Sequence, residues 1–129
     1  MKFSVLALDY DGTIARHGQA DPEVVTAIRE ARARGITVVL VTGRILSDLR
    51  RVLTEEDLFD AIVAENGAVL AFPNGRTRVL GRPASRELLS AFCERHVGCA
   101  FGECIVEADA DAAPKILEVI RKLQLPLML

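Results

Sequence analysis

Leu6-Ala7-Leu8-Asp9-Tyr10-Asp11-Gly12-Thr13 is the stretch from which the rest of the chain can be read. The apolar run Phe3 to Leu8 is short, contains β-branched and aromatic members, and ends at acidic and glycine-containing residues, the pattern of a buried strand. Residues two apart in an extended segment project to the same side, so Asp9 and Asp11 face one point beyond the strand's carboxyl end while Tyr10 turns away. Two carboxylates there make a hard oxygen site suited to Mg²⁺. Gly12 lets the backbone turn or approach a ligand closely, and Thr13 adds a hydroxyl and an N–H. An Asp-x-Asp before a turn can equally be a plain strand terminator. Its place argues for the site, because open α/β sheets bind ligands outside the carboxyl ends of their strands.

Downstream, Asp21-Pro22-Glu23 starts a helix: Asp21 can cap free N–H groups, and Pro22 has its φ already set. Val24, Val25, Ile28 and Ala31 recur at helical spacing until Gly35. Residues 36 to 41 form a second, nearly all-apolar strand of the kind covered on both faces in a parallel sheet, and it delivers Thr42-Gly43-Arg44. A helix over about residues 45 to 54 leads to a third strand, 61 to 64, which runs into Glu65-Asn66-Gly67. Three strands joined by helical crossovers make a βαβαβ unit with right-handed connections and a parallel sheet. Asn74-Gly75 between Ala68 to Phe72 and Thr77 to Leu80 predicts a hairpin. Beyond Gly81-Arg82-Pro83 the rhythm is helix (84 to 96), strand (99 to 107) and helix (112 to 123), the last capped by Asp109 or Asp111. The fold class is α/β: a Rossmann-like parallel core with a hairpin over residues 1–82, then the start of an α/β subdomain over 83–129.

Thr42-Gly43-Arg44 offers a hydroxyl, an unobstructed backbone N–H and a cation, all suited to phosphate oxygens. A Thr-Gly turn is often mere punctuation. Here it shares one sheet edge with Asp9 and Asp11, and Asn66 ends the third strand at that same edge.

Composition limits the partners. The chain has 129 residues, 16 basic against 18 acidic side chains and a net charge of −2, so no general attraction to nucleic acid or an anionic membrane is expected. Half of the residues are hydrophobic, enough for a core without staples. Cys93, Cys99 and Cys104 form no C-x-x-C pair and read as buried, reduced thiols. Asp9 and Asp11 interrupt the first apolar run too early for a signal peptide, and nothing approaches a membrane span, so a cytoplasmic protein is expected.

Residues 6–13 followed by Val39-Leu40-Val41-Thr42-Gly43-Arg44 resemble the first and second motifs of the haloacid dehalogenase (HAD) superfamily of phosphohydrolases. Glu65-Asn66-Gly67-Ala68, with a hairpin and an α/β segment after it, is similar to the branch with the larger α/β cap, which includes Cof-type and sucrose-phosphate phosphatases. The resemblance implies Asp9 as a nucleophile forming an aspartyl-phosphate and Asp11 as general acid and then base. It implies Mg²⁺ between the Asp9 carboxylate, the Asp11 main-chain carbonyl and the phosphate. Thr42 and Gly43 would hold phosphate oxygens, with Gly12 and Thr13 in the same loop and Arg44 and Asn66 as phosphate- or substrate-side contacts. The implied substrate is a small phosphorylated metabolite such as a sugar phosphate.

The family also uses a lysine from a third motif and an acidic pair from a fourth. This chain has three lysines: Lys2 at the wrong end of the first strand, and Lys115 and Lys122 on one predicted helix. Glu107-Ala108-Asp109-Ala110-Asp111 lacks the Gly-Asp-x-x-Asn-Asp form. In a sheet of order 3-2-1-4-5 the first strand is central, and without its later neighbours it becomes an exposed apolar edge. Leu125 to Leu129 is likewise an apolar run that stops without a partner. The expectation is therefore the N-terminal portion of a protein about twice as long, or a chain completed by another through its sheet edge. A catalytically incomplete interaction module is the alternative. Phosphoacceptor receiver domains also use Mg²⁺ and an aspartate, but Glu65-Asn66 stands where their aspartate after the third strand belongs.

Overall fold

β1 (Val5–Asp9) leads into a tight loop and a two-residue ladder, β2 (Ala15–Arg16) against β3 (Gln19–Ala20), in a computed structural model that describes residues 3–16 and 19–124. Nothing in the sequence announces this ladder, because pairs this short leave no periodic pattern. α1 (Pro22–Ala33) follows, and Asp21 caps it as expected, its Oδ1 accepting the Glu23 N–H at 3.0 Å. Val25 and Ile28 are buried, and Val24 and Ala31 pack beside them. β4 (Thr37–Val41), α2 (Leu46–Val52) and β5 (Ala61–Ala64) complete the βαβαβ unit. β6 (Val69–Ala71) and β7 (Thr77–Val79) form the expected hairpin, with Asn74 Oδ1 accepting the Arg76 N–H at 3.0 Å across its turn.

The sheet order is β1-β4-β5-β6-β7, parallel through the first three strands and antiparallel after them. Val38, Leu40, Ile62, Ala64, Val69 and Ala71 share one face and are buried under the helices. Asp60 ties the opposite end of this layer. Its carboxylate accepts the Val38 N–H at 2.8 Å and an Arg32 guanidinium N–H at 3.0 Å, and the Val38 bond foremost holds its pKa below the ordinary carboxylate value.

Among the described residues the other face is only partly covered. Val5 is 55% exposed and Val41 39%, which corrects the expectation that residues 36 to 41 are covered on both sides. It also corrects the reading of Phe3 to Leu8 as a buried strand: β1 is the edge of the described sheet, with Phe3 72% exposed and Leu6 37%. The apolar composition is as read, but no described element packs on that side.

A second apolar cluster lies after residue 82. α3 (Arg86–Glu94) is capped by Ser85, whose Oγ accepts the Leu88 N–H at 3.1 Å. β8 (Cys99–Phe101) pairs antiparallel with β9 (Val106–Ala108), and α4 (Ala113–Leu123) packs against α3. Leu88, Phe92, Val97 and Val119 form its centre. The single strand expected over 99 to 107 is thus a hairpin, broken at Gly102-Glu103-Cys104. Neither Asp109 nor Asp111 caps α4 through its side chain; Asp109 instead opens a short 3-10 turn, closed by the Ala112 N–H to its carbonyl at 2.9 Å. The thiols are free, but Cys93 is exposed and Cys99 and Cys104 half-buried, short of the full burial expected. Lys2 and the apolar run 125 to 129 lie outside the described residues.

Adjacent positions on β4 test the one-sided burial. Leu40→Ala should cost about 2–5 kcal/mol in a urea unfolding titration, whereas Val41→Ala should change stability by less than ~0.5 kcal/mol. A comparable loss for Val41→Ala would show that the second face is covered in solution.

Candidate functional site

Parallel pairing sets the carboxyl ends of β1, β4 and β5 side by side: Asp9 is opposite Val41, and Val41 opposite Val63. Those strand ends and the loops leaving them carry Asp9, Asp11, Gly12, Thr13, Thr42, Gly43, Arg44 and Asn66. Beyond β1, the Tyr10 carbonyl accepts the N–H groups of Ile14 (3.0 Å) and Ala15 (2.8 Å), closing a tight loop with Gly12 at φ +77°. Glycine adopts that left-handed backbone without strain. Tyr10 is buried as the pivot of the loop, while Asp9, Asp11, Gly12 and Thr13 are exposed.

Beyond β4, Thr42 is buried and its N–H bonds to the Val63 carbonyl at 2.9 Å, continuing the ladder one residue past the strand. Its Oγ accepts the Arg44 N–H at 3.2 Å, an arrangement that shapes the turn. A Cβ at Gly43 would stand 2.9 Å from Asn66 Oδ1, so glycine lets the Asn66 side chain of the third loop come this close. The Asn66 N–H reaches the Thr42 carbonyl at 3.4 Å, and the Glu65 N–H reaches the Arg44 carbonyl at 3.1 Å. The second and third loops are thereby laced together.

Arg44 dominates the charge distribution. Its Nε donates to one Asp11 oxygen at 2.7 Å and its Nη2 to the other at 2.8 Å, a bidentate fork. The guanidinium lies over the Tyr10 ring, 5.5 Å from the centroid. The hydrogen bonds from Arg44 hold the Asp11 carboxyl below its ordinary value, and the same bonds push Arg44 further up. Burial raises the Tyr10 phenol. The sequence singled out Arg44 and Asp11 separately; their pairing brings a general acid–base candidate and a phosphate-binding candidate into one ion pair. Asp9 stands at the strand end beside them.

The donor set is compatible with magnesium of a particular kind. Among the described residues no three His, Cys, Asp or Glu side chains gather where they could hold a metal by themselves. Magnesium is commonly bound by one or two carboxylates, with water and substrate phosphate filling its remaining positions. The Asp9 carboxylate and the Asp11 main-chain carbonyl would offer two such hard oxygens, since both Asp11 carboxylate oxygens are taken by Arg44. Lys115 and Lys122 both lie on α4, in the second cluster, so neither belongs to the three loops.

A family profile of haloacid dehalogenase-like hydrolases matches residues 6–101. The chain belongs to this family. It is 37% identical over 84 residues to the phosphoglycolate phosphatase of Methanothermobacter thermautotrophicus, a match covering 64% of this chain and 38% of that enzyme. The solved structure of the HAD subclass IIB sugar phosphatase BT4131 superposes with a TM-score of 0.57 at 26% identity, over 88% of this chain and 47% of that one. A Thermoplasma acidophilum structure shares the fold, with a TM-score of 0.67 at 15% identity over 95% and 59% of the respective chains. The chain therefore spans less than two thirds of the length of each of these relatives. Among the described residues no helix is long and apolar enough to cross a membrane.

Sequence reasoning missed Glu65. It is 1% exposed and carries a positive φ of 54°, and its visible signals were an acidic residue directly after a strand and its place in the Glu65-Asn66-Gly67-Ala68 stretch.

The ion pair predicts a pH effect whose sign follows from the lowered pKa of Asp11. Folding favours the ionised form, so the contribution is complete at neutral pH and fades as pH falls through about 4 toward the depressed folded value. Both partners are about a third or more exposed, which limits the effect to about 0.5 kcal/mol. Wild-type stability should thus fall faster than that of Asp11→Asn between pH 5 and about pH 3, and parallel acid-unfolding curves would contradict the pairing.

Proposed function

We propose that the chain supplies the nucleophilic part of a Mg²⁺-dependent phosphohydrolase acting on a small phosphorylated metabolite of the sugar-phosphate class. The observation that carries this is the gathering of Asp9, Asp11, Thr42, Gly43 and Arg44 at the adjacent ends of two parallel strands, in a member of the haloacid dehalogenase-like hydrolases. Two relatives whose names specify phosphoglycolate and sugar phosphates support the substrate class. The division of labour we propose sets residues 1–82 as the core bearing the nucleophile and 83–129 as part of a substrate-side cap.

In this reading the Asp9 carboxylate attacks phosphorus, and the bond from phosphorus to the ester oxygen breaks. Asp11 gives its proton to the departing alkoxide, then takes one from the water that cleaves the aspartyl-phosphate. The Thr42 hydroxyl and the Gly43 N–H face the transferring oxygens. Bound Mg²⁺, held by the Asp9 carboxylate and the Asp11 main-chain carbonyl, would neutralise charge between two anions. Arg44 has a double part. A bidentate guanidinium fits phosphate as well as carboxylate, so an arriving phosphate competes with Asp11 for it. Once Arg44 turns to the phosphate, Asp11 loses the bonds that keep it ionised and can take up from solvent the proton that it then gives to the departing alkoxide.

The partly covered face and open edge of β1 favour a second reading in which the chain works only when another polypeptide supplies the missing strands and the lysine. It predicts self-association or a partner, and a chain that is inert alone.

The test is hydrolysis of p-nitrophenyl phosphate with Mg²⁺, compared with Asp9→Asn and with EDTA. We expect Asp9→Asn and metal removal each to abolish turnover, by at least about 10³-fold. Equal rates for wild type and Asp9→Asn would sink the catalytic role of Asp9. No turnover by either, together with a stable complex by light scattering, would favour the second reading.

A further inference from the structure

Glu65 is a charged residue sealed between the two apolar clusters, and the chemistry proposed above makes no use of it. Its Oε1 accepts the Glu103 N–H at 3.1 Å, and its Oε2 accepts the N–H groups of Cys104 at 2.8 Å and Ile105 at 3.4 Å. Three successive N–H groups converging on one anion form a nest, a backbone concavity that favours negative charge. They belong to the β8–β9 turn, 38 to 40 residues away in sequence. A Cβ at Gly102 would lie 2.6 Å from the carboxylate carbon and from both of its oxygens, so the turn fits only because glycine is there. The base of Glu65 is equally constrained. Glu65 and Asn66 both have positive φ, 54° and 55°; asparagine adopts such backbone readily, whereas glutamate does so rarely and at a cost that its surroundings must offset.

The seat is tied directly to the strand-end site. The Glu65 N–H bonds to the Arg44 carbonyl, and the neighbouring Asn66 packs on Gly43. One residue therefore connects the loop that carries Arg44 to the β8–β9 turn.

We propose that Glu65 is a positioning residue, a carboxylate latch seated in the Glu103–Ile105 nest that fixes the β8–β9 hairpin over the strand ends and so sets which leaving groups the site admits. The latch rests on its own geometry; the clause on leaving groups rests on the phosphohydrolase reading.

Glu65→Gln keeps the volume but places an NH₂ donor where an oxygen now faces N–H donors. In the full chain, amide hydrogen exchange at 103–105 should accelerate at least tenfold in Glu65→Gln, while exchange at 62–64 stays as in wild type. Gly102→Ala probes the same contact from the other side: it should lower Tm in the wild-type background and leave it unchanged in Glu65→Ala, where the obstructing carboxylate is gone. That pair also serves if Glu65→Gln fails to fold. Unchanged exchange at 103–105, or an equal Tm loss from Gly102→Ala in both backgrounds, would overturn the latch. For the positioning role, titration calorimetry with glucose 6-phosphate and with orthophosphate should show Glu65→Gln weakening the sugar phosphate several-fold while orthophosphate changes less than twofold. Equal weakening of both would overturn that role even with the latch intact. If the wild-type chain binds neither, the phosphohydrolase reading and the leaving-group clause fall together, and the exchange result still decides the latch.

Discussion

The register of three parallel strands is the constraint on which the site depends. With Asp9 opposite Val41 and Val41 opposite Val63, the backbone leaves the sheet at one level in all three places. Each exit then carries a different chemical group: carboxylates after β1, a hydroxyl and guanidinium after β4, an amide and the buried Glu65 after β5. A slip of one residue would exchange the faces of every side chain on the slipped strand. Leu40 and Ile62 would then meet solvent, and Val41 and Val63 would have to fill the core. Burial of Leu40 and Ile62, at 0% and 2% exposed, is therefore what aligns the loops. The hydrophobic effect sets the position of the chemistry without touching it.

That register is secured from one side. The helical layer and Asp60 hold the face carrying Val38 and Leu40, whereas Val5 and Val41 look outward. A β1 that is both edge and half-covered is the least supported strand of the three, and it carries both carboxylates. Asp9 and Asp11 can be aligned only as firmly as their strand. Part of the missing support comes from across the site: the Arg44 fork grips Asp11 from the loop after β4, and the Tyr10 ring is held beneath the same guanidinium. The ion pair thus has a structural use at the edge of the described sheet, even though its free energy is small.

What the sequence disclosed follows from the range of the interactions involved. The Asp21 cap, the Asn74-Gly75 hairpin and the apolar strands are local, written within a few residues, and they appear where their patterns place them. The carboxyl-end clustering was legible too, because parallel topology follows from the alternation of strands and helices. The failures share the opposite property. Residues 99 to 107 carry an acceptable strand pattern, and the turn that divides them into a hairpin donates its N–H groups to Glu65, 38 or more residues away, a partner no local pattern reveals. Arg44 and Asp11 were each recognised by residue type, but their separation of 33 residues hid the fork between them. Coverage of both faces of β4 was inferred from composition, and composition states only that a face is apolar. Whether something packs on it is a tertiary fact.

The two long-range carboxylates also explain each other. Asp11 sits half-exposed with a single cation that a phosphate can take, an arrangement that is easily undone. Glu65 sits sealed, with three backbone donors and a glycine that leaves no room for alternatives. A buried charge with its donors removed is costly, so the latch resists opening, whereas an exposed pair exchanges partners cheaply. On the proposed chemistry this division is what the site requires. Arg44 must move between Asp11 and an incoming phosphate, and it can do so without loss of geometry only if the loop behind it is fixed. Its own carbonyl is the point of fixation, bonded to the N–H of Glu65. The guanidinium is free to change its partner because the backbone that carries it is not.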